Sequence, residues 1–286
     1  MAVCTIYFCD KGVIIMIEPM NPLYETLKLE IKRYEIQEQL AFDEVLQELR
    51  RDRVINIYNT TSSDNKYTGN VFLSKNCGEF MVTEYFNYDK IAVIFLNSGY
   101  RMLARANNIN KGELKDPYAK SILGIGCIGV GPYRVDGNPF ERMVYSRWRG
   151  ILDRCYVKRE RHKSVHPEWW NFQYFAAWFT ASFYSVPYNS MYDMVVDKDV
   201  LCPGNEEYGP YKCLILPNFI NAKVQVKDFE KDRIEALMSG QMSQFEILKL
   251  FKYKEAKESR IRSLADENRN ILPPHVFLAI KNYRLF

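Results

Sequence analysis

Charged and apolar residues are interspersed with a helical spacing in the N-terminal part of the chain. Between residues 22 and 53 the apolar positions recur near the helical spacing of three to four residues, which predicts that they share one face of a helix. They are Leu23, Leu27, Ile31, Tyr34, Leu40, Val45, Leu46 and Leu49. This pattern predicts one or two amphipathic helices, followed by a polar linker at NTTSSDN (59–65).

Short runs of β-branched and aromatic residues replace this pattern after residue 70. Three of them, 71–73 (VFL), 80–86 (FMVTEYF) and 91–95 (IAVIF), are separated by the turn-forming sequences NCG and NYD. Such a succession predicts a three-stranded antiparallel sheet. The apolar residues that follow are Met102, Leu103, Ala106 and Ile109. Their spacing predicts a helix after Gly99 that covers one face of the sheet.

The stretch 124–137 (GIGCIGVGPYRVDG) is rich in glycine. Gly124, Gly126 and Gly129 match the G-x-G-x-x-G spacing of nucleotide-binding loops. In such loops the glycines lead directly into a helix, whereas here Pro132 follows closely. The stretch therefore predicts an irregular loop or a bulged strand rather than a nucleotide site.

Basic and aromatic residues dominate the stretch 141–179. The first half has helical spacing, with apolar positions at Met143, Trp148, Ile151, Leu152 and Tyr156. Its basic residues are Arg142, Arg147, Arg149, Arg154, Lys158, Arg159, Arg161 and Lys163. They indicate either contacts with nucleic-acid phosphates or a solvated helix face on which nearby acidic residues offset part of the charge. The aromatic residues of the second half, which predict a core element, are Trp169, Trp170, Phe172, Phe175, Trp178 and Phe179.

The residues from 227 onward are charged and again have helical spacing. Two helices are expected in the last part, broken at Pro273 and Pro274. Their apolar positions are Ile261, Leu264 and Ala265 in the first, and Val276, Leu278, Ala279 and Ile280 in the second. Such faces dock either onto the body of the protein or onto a partner.

Composition narrows the class of protein. The chain has 286 residues, of which 47% are hydrophobic, and this is enough to bury the cores of two domains. No apolar run reaches the roughly 18 to 20 residues of a membrane helix, so a soluble, cytoplasmic protein is expected. The net charge of +4 does not by itself indicate nucleic-acid binding. Seven cysteines without a C-x-x-C pair predict reduced, mostly buried thiols.

Residues 194–221 (MVVDKDVLCPGNEEYGPYKCLILPNFIN) have the pattern of a β-hairpin. A first strand ends in Asp-Lys-Asp, a turn surrounds Gly204 and Asn205, and a second strand closes at Pro217. In one interpretation the polar residues of this hairpin form a metal or catalytic site. In the other, its aspartates cap turns and Cys202 and Cys213 pack inward.

Several sequences occur in a characteristic order along the chain. They are GEFMVTEY (78–85) with VIFLNSGY (93–100), NINKGELKDP (108–117), WRGILDRCY (148–156), VDKDVL (196–201) with Gly204, Asn205, Tyr208, Pro210 and Cys213, and finally YKEAKE (253–258). Together they resemble a large family of bacteriophage proteins related to HNH- and AP2-like homing endonucleases. The resemblance covers roughly residues 70–286.

This resemblance implies a sheet that lies in the DNA major groove, with the exposed side chains of residues 79–96 near the bases. It also implies a hairpin and helix that hold a divalent metal, and a histidine that activates water. Lys198 stands where that histidine is expected, and a charged lysine is a poor general base. The resemblance thus implies a degenerate member. Its candidate catalytic residues are Asp197, Lys198 and Asp199.

Metal binding is an open alternative for the hairpin. Asp197 and Asp199, with Asn205 or Asn221, offer the oxygen ligands that Mg²⁺ prefers. His162 and His166 lie four residues apart in the basic segment and would share a helix face, but Pro167 interrupts a helix there. A surface or phosphate-contacting role is expected for these two histidines.

Four regions of an α+β protein are expected. They are an N-terminal helical region (1–58), a sheet-plus-helix module (66–135), a basic, aromatic and hairpin module with ββα-like character (138–226) and a C-terminal helical arm (227–286). Met20 is an alternative start to Met1.

The predicted function is that of a phage-encoded DNA-binding protein in the host cytoplasm, without catalysis or cofactor. The eight basic residues of the stretch 141–163 form its expected nucleic-acid surface. One alternative is a phage anti-defence protein that binds and inhibits a host nuclease or another defence complex, with Tyr184, Tyr188 and Tyr192 as exposed aromatic candidates. A second alternative is a magnesium-dependent DNA endonuclease.

Overall fold

The computed structural model describes residues 5–9, 12–16, 21–55, 66–158, 163–184, 193–202 and 204–286. The chain divides into two compact units. The sheet unit contains residues 28–133 and 170–174, and the hairpin unit contains residues 1–27, 134–169 and 175–286. Helices and small, mainly antiparallel sheets confirm the α+β class.

The strands are β1 Thr5–Cys9, β2 Gly12–Met16, β3 Val71–Ser74, β4 Gly78–Asn87, β5 Lys90–Phe95, β6 Arg101–Ala104, β7 Ser164–Val165, β8 Met194–Asp197, β9 Glu207–Tyr208 and β10 Leu214–Pro217. The helices are α1 Pro22–Ile55, α2 Ala106–Lys111, α3 Pro139–Leu152, α4 Phe172–Tyr184, α5 Asn218–Val224, α6 Asp228–Met238, α7 Gln244–Glu267 and α8 Pro274–Lys281. The helical spacing of the N-terminal part thus forms one long helix, α1.

Four antiparallel strands, in the order β3-β4-β5-β6, form the sheet of the sheet unit. The three predicted strands are confirmed, but the helix predicted to include Met102 and Leu103 is wrong. These residues lie in β6, where Met102 pairs with Val93 of β5. Gly99, with a φ of 73°, makes a tight turn that returns the chain along β5, and ladder hydrogen bonds outweigh the helical spacing. The helix α2 begins only at Ala106.

One face of this sheet holds an aromatic core, and the other carries polar contacts with α1. Phe80, Val93 and Phe95 are fully buried in the core. From α1, Asp43 accepts a bidentate pair of hydrogen bonds from Arg101 of β6, at 2.8 and 3.1 Å. These contacts fix α1 along the sheet within the same unit.

The glycine-rich stretch 124–137 forms an irregular loop, as predicted. Gln173 closes its first part: the side-chain amide donates to the carbonyl of Tyr133 at 2.9 Å and accepts the N–H of the same residue at 3.0 Å. A Cβ at Gly131 would lie 2.4 Å from Oε1 of Gln173. A side chain at this position would therefore have to displace the buried side chain of Gln173.

The hairpin unit has an aromatic core built from α3 and α4. Trp148 of α3 is 1% exposed, and its indole N–H donates to the carbonyl of Trp169 at 2.7 Å. Trp169 packs against Phe175 and Trp178, with ring centroids 5.0 and 4.6 Å apart. Trp178 donates in turn to the carbonyl of Pro210. The predicted aromatic core element is therefore confirmed.

The hairpin of β8 and β10 is antiparallel and is followed directly by α5. Its apolar residues form a cluster with the C-terminal helices, and Ile261, Val276 and Ile280 of α7 and α8 are buried in it. Glu258 of α7 accepts the backbone N–H of Leu285 at 2.8 Å. The predicted apolar faces of the C-terminal arm thus dock within the hairpin unit, except for Leu278, which is 56% exposed.

The cysteines differ in part from the prediction of reduced thiols. Cys77, Cys127, Cys155 and Cys213 are free, but Cys202 is disulfide-bonded. Spacing between cysteines in the sequence gave no sign of this bond, because a disulfide depends on proximity in the folded chain. In the described part of the chain, no helix combines the length and the apolar character that crossing a membrane requires.

Candidate functional site

A cavity of about 410 Å³ lies in the hairpin unit, beside α3, the end of β8 and α5. We call it the basic cavity, because four cationic side chains and two carboxyl side chains line it. The cationic residues are Arg147, Arg154, Lys163 and Lys198, and the acidic residues are Asp197 and Asp199. It therefore brings together part of the predicted basic surface and the centre of the predicted hairpin site.

The α3 helix holds the arginines of the basic cavity in place. Asn138 caps its N-terminus in a reciprocal capping box with Glu141, which satisfies two backbone N–H groups. The apolar stripe, which includes Trp148, is buried on the opposite side. Arg147 and Arg154 reach the cavity from the remaining face. Arg154 lies in a π-helical turn, Asp153–Val157, which changes the helical register after α3.

A second wall of the cavity depends on a short parallel pair of strands. β7 pairs with β9, so that Val165 lies opposite Tyr208. This pairing places Lys163, the residue before β7, near Tyr208 of β9. The guanidinium carbon of Arg154 lies 5.7 Å from the centroid of the Tyr208 ring, within the range of a cation–π contact.

Asp197 lies at the end of β8 and is 3% exposed. Its Oδ1 accepts the backbone N–H groups of Asp199 at 3.0 Å and of Val200 at 2.8 Å. The side chain thus caps the turn that follows the strand. Burial, and after it the charge of Asp199, raises the pKa of Asp197 from 3.8 to about 7. The carboxyl group therefore changes its charge near neutral pH.

Lys198 and Asp199 form a buried ion pair. The Nζ of Lys198 lies 2.8 Å from Oδ1 of Asp199, and the side chains are 6% and 4% exposed. Lys198 stands where the family resemblance implies a histidine. Its ammonium group forms an ion pair with the adjacent Asp199. A protonated, paired ammonium group is a hydrogen-bond donor and cannot act as a base.

The side chain of Asn205, a predicted metal ligand, forms hydrogen bonds within the hairpin turn. Its side-chain nitrogen donates to the carbonyl of Glu207 at 2.7 Å and of Lys198 at 3.3 Å. Its Oδ1 accepts the backbone N–H of Glu207 at 3.1 Å. Among the described residues, no three or more His, Cys, Asp or Glu side chains are grouped so that they could hold a metal ion.

The remaining predicted basic residues lie elsewhere. Arg142 and Arg149 are exposed on α3 outside the cavity, and Lys158 forms an ion pair with Asp153 at 3.0 Å. Residues 159–162, which include Arg159, Arg161 and His162, lie outside the described residues, as do Tyr188, Tyr192 and the side chain of Tyr184. His166 accepts the backbone N–H of Glu168 at its Nδ1.

Much of the sheet stretch 79–96 is not exposed. The buried residues are Phe80, Val82, Ile91, Ala92, Val93 and Phe95. Glu84 is engaged by Arg50 of α1. The exposed residues of β4 are Glu79, Thr83 and Asn87, none of which is basic. This strand therefore presents no cationic side chain for a nucleic-acid backbone.

Sequence reasoning did not identify three of the polar side chains that line the cavity as site residues. They are Ser146, Tyr208 and Gln225. Asn221 was considered only as a metal ligand. Asn221 lies in α5 and Gln225 caps the C-terminal end of this helix, and nothing in the sequence pattern shows that this part of the chain lies beside α3.

Comparison of the chain with protein-family models, with curated proteins and with solved structures finds no match.

Proposed function

We propose that this protein binds DNA and that the basic cavity holds a phosphate group of the nucleic-acid backbone. The observation that carries the proposal is the convergence of Arg147, Arg154 and Lys163 on one cavity from two separate segments of the chain. Arginine is well suited to this role, because its planar guanidinium group can donate two parallel hydrogen bonds to phosphate oxygens.

The charge balance of the cavity supports an anionic ligand. Lys198 and Asp199 neutralise each other in their ion pair. Asp197, with a pKa of about 7, carries no full negative charge at neutral pH. Arg147, Arg154 and Lys163 add three cationic side chains to this ion pair, so the cationic side chains that line the cavity outnumber the acidic ones. Because the walls are partly buried, their attraction for an anion is screened less than that of exposed surface charges.

The proposal is one of binding without hydrolysis. In the hairpin the expected histidine is replaced by Lys198, and the ammonium group of this lysine contacts Asp199. Asn205 uses its side-chain amide within the turn. These contacts support a hairpin that contributes shape and charge to a binding site.

A salt titration tests this function. The full chain is titrated against fluorescently labelled duplex and single-stranded DNA in magnesium buffer, at about 50 mM and about 200 mM salt. Binding through phosphate contacts predicts a steep loss of affinity at the higher salt concentration, and an uncut DNA band after incubation. The absence of binding at both salt concentrations would contradict the proposal, and cleavage would contradict its non-catalytic part.

A second candidate is an inhibitor that binds a host protein. One observation favours it: Phe245 and Leu248, one helical turn apart on α7, are 64% and 62% exposed. Apolar side chains grouped on a surface are typical of protein interfaces. In the salt titration this candidate predicts no DNA binding at either salt concentration.

A further inference from the structure

We infer that the basic cavity takes a whole unpaired nucleotide, with its phosphate at the cationic entrance and its base on Asp197 and Asn221. This inference rests on the proposed function, which it makes more specific. It concerns a single nucleotide at a strand end, in single-stranded DNA or extruded from a duplex.

The size of the cavity is the first argument. Its volume is about 410 Å³. Sites for small organic ligands occupy roughly 300 to 1,000 Å³, whereas a backbone phosphate alone needs only a shallow surface. The cavity is thus large enough for a base and a sugar as well as a phosphate.

The gradient of burial along the cavity is the second argument. Arg147, Arg154 and Lys163 are half-buried. Asp197 and its neighbour Lys198 are 3% and 5% exposed and form the inner end. Cations at the entrance and polar groups at the inner end match a ligand with an anionic end and a neutral, hydrogen-bonding end.

The hydrogen-bonding capacity of Asp197 at the inner end, and of Asn221 on the cavity wall, is the third argument. Oδ1 of Asp197 is occupied by two backbone N–H groups, which leaves Oδ2 for a ligand. Asn221 is half-buried on the cavity wall, and its side-chain amide makes no hydrogen bond with another described residue. A carboxyl group and a carboxamide are the groups that recognise amino and ring-nitrogen positions of bases.

Base pairing decides which form of DNA fits. In a duplex the Watson–Crick edges are paired, so a deep cavity can reach them only when the nucleotide is unpaired or rotated out of the helix. The cavity therefore favours single-stranded DNA or strand ends over continuous duplex.

Isothermal titration of the full chain with the four deoxynucleoside 5′-monophosphates, the matching nucleosides and inorganic phosphate tests the inference. At least one monophosphate is expected to bind about tenfold more tightly than phosphate. Asn221→Ala is expected to abolish this preference while phosphate binding is retained, which also shows that the variant is folded. The matched control Asn218→Ala, exposed on the same helix, is expected to keep the preference.

The outcomes separate the two proposals. If all four monophosphates bind no more tightly than phosphate while DNA still binds, the nucleotide inference is overturned and the proposed function stands. If neither phosphate nor DNA binds, both are overturned. An unchanged preference in Asn221→Ala would also overturn the assignment of the base to this wall.

Discussion

Lys198 and Asp199, adjacent in sequence, form an ion pair of 2.8 Å in which both side chains are almost fully buried. The pair lies at the inner end of the basic cavity, directly after the strand that ends in Asp197. In an ordinary hairpin such charges would be exposed at the turn. Here they are held inside the hairpin unit, so the stability of the hairpin depends on both of them.

Removal of one residue of the Lys198–Asp199 pair is expected to lower the free energy of unfolding. Lys198→Met leaves Asp199 buried without its cation, and the free energy of unfolding is expected to fall by about 3 to 5 kcal/mol. Urea denaturation of the variant and the parent measures this difference.

The matched control is Lys281→Met, which breaks a more exposed pair with Asp266. Its expected loss is below about 1 kcal/mol. Similar losses for the two variants would show that the burial of Lys198 contributes nothing to stability.

The raised pKa of Asp197 makes stability depend on pH. The folded protein keeps this proton up to about pH 7, whereas the unfolded chain releases it near its ordinary pKa of 3.8. Between these values the folded state binds more protons, so the free energy of unfolding falls as the pH rises, by at most about 1.4 kcal/mol per pH unit. Above pH 7 this contribution is constant.

Asp197→Asn is expected to remove that pH dependence, because the amide oxygen still accepts both backbone N–H groups and the side chain no longer titrates. Thermal unfolding between pH 4 and 8 compares it with the parent and with Asp193→Asn, a change at an exposed aspartate nearby. A parent and an Asp197→Asn variant with parallel pH profiles would contradict the assignment.

The affinity for DNA is expected to depend on the charge of the Asp197 carboxyl group. As the pH rises through 7, Asp197 gains a negative charge inside the basic cavity and repels phosphate. Affinity for a labelled oligonucleotide is expected to fall by about tenfold between pH 6 and 8. Asp197→Asn is expected to flatten this profile, and a profile that persists in the variant would assign the effect to another group.

Gly131 gives a test in the sheet unit. A Cβ at this position would lie 2.4 Å from Oε1 of Gln173, whose amide holds the glycine-rich loop together. Gly131→Ala is expected to reduce the free energy of unfolding by about 1 to 3 kcal/mol. At Gly150 in α3, the atom nearest to an added Cβ is 3.9 Å away. The change Gly150→Ala is therefore expected to leave the free energy of unfolding unchanged or to raise it slightly. Equal stability of both variants would contradict the packing argument.

The periodicity of the sequence predicted those helices and strands whose own residue pattern shows which side chains are buried. The helical spacing of α3 identified Met143, Trp148, Ile151 and Leu152, and all four are buried. The two strands of the hairpin were also predicted, because alternating turn residues and apolar runs mark them without reference to the rest of the chain.

The basic cavity could not be predicted in the same way. Its second wall depends on β7 and β9, two-residue strands separated by about 40 residues of sequence and paired in parallel. A strand of that length has no periodic signature. The burial of Lys198 and Asp199 is likewise a result of tertiary packing, since charged residues at a turn are ordinarily exposed.

The most direct test of the account removes two charges from α3 in two different places. Arg147→Ala/Arg154→Ala removes cations from the basic cavity, whereas Arg142→Ala/Arg149→Ala removes the same charge from the exposed surface of that helix. Anisotropy titration with labelled single-stranded DNA is predicted to show at least about a tenfold loss for the first variant and less than about threefold for the second. Equal losses for the two variants, or no loss for the cavity variant, would contradict the account.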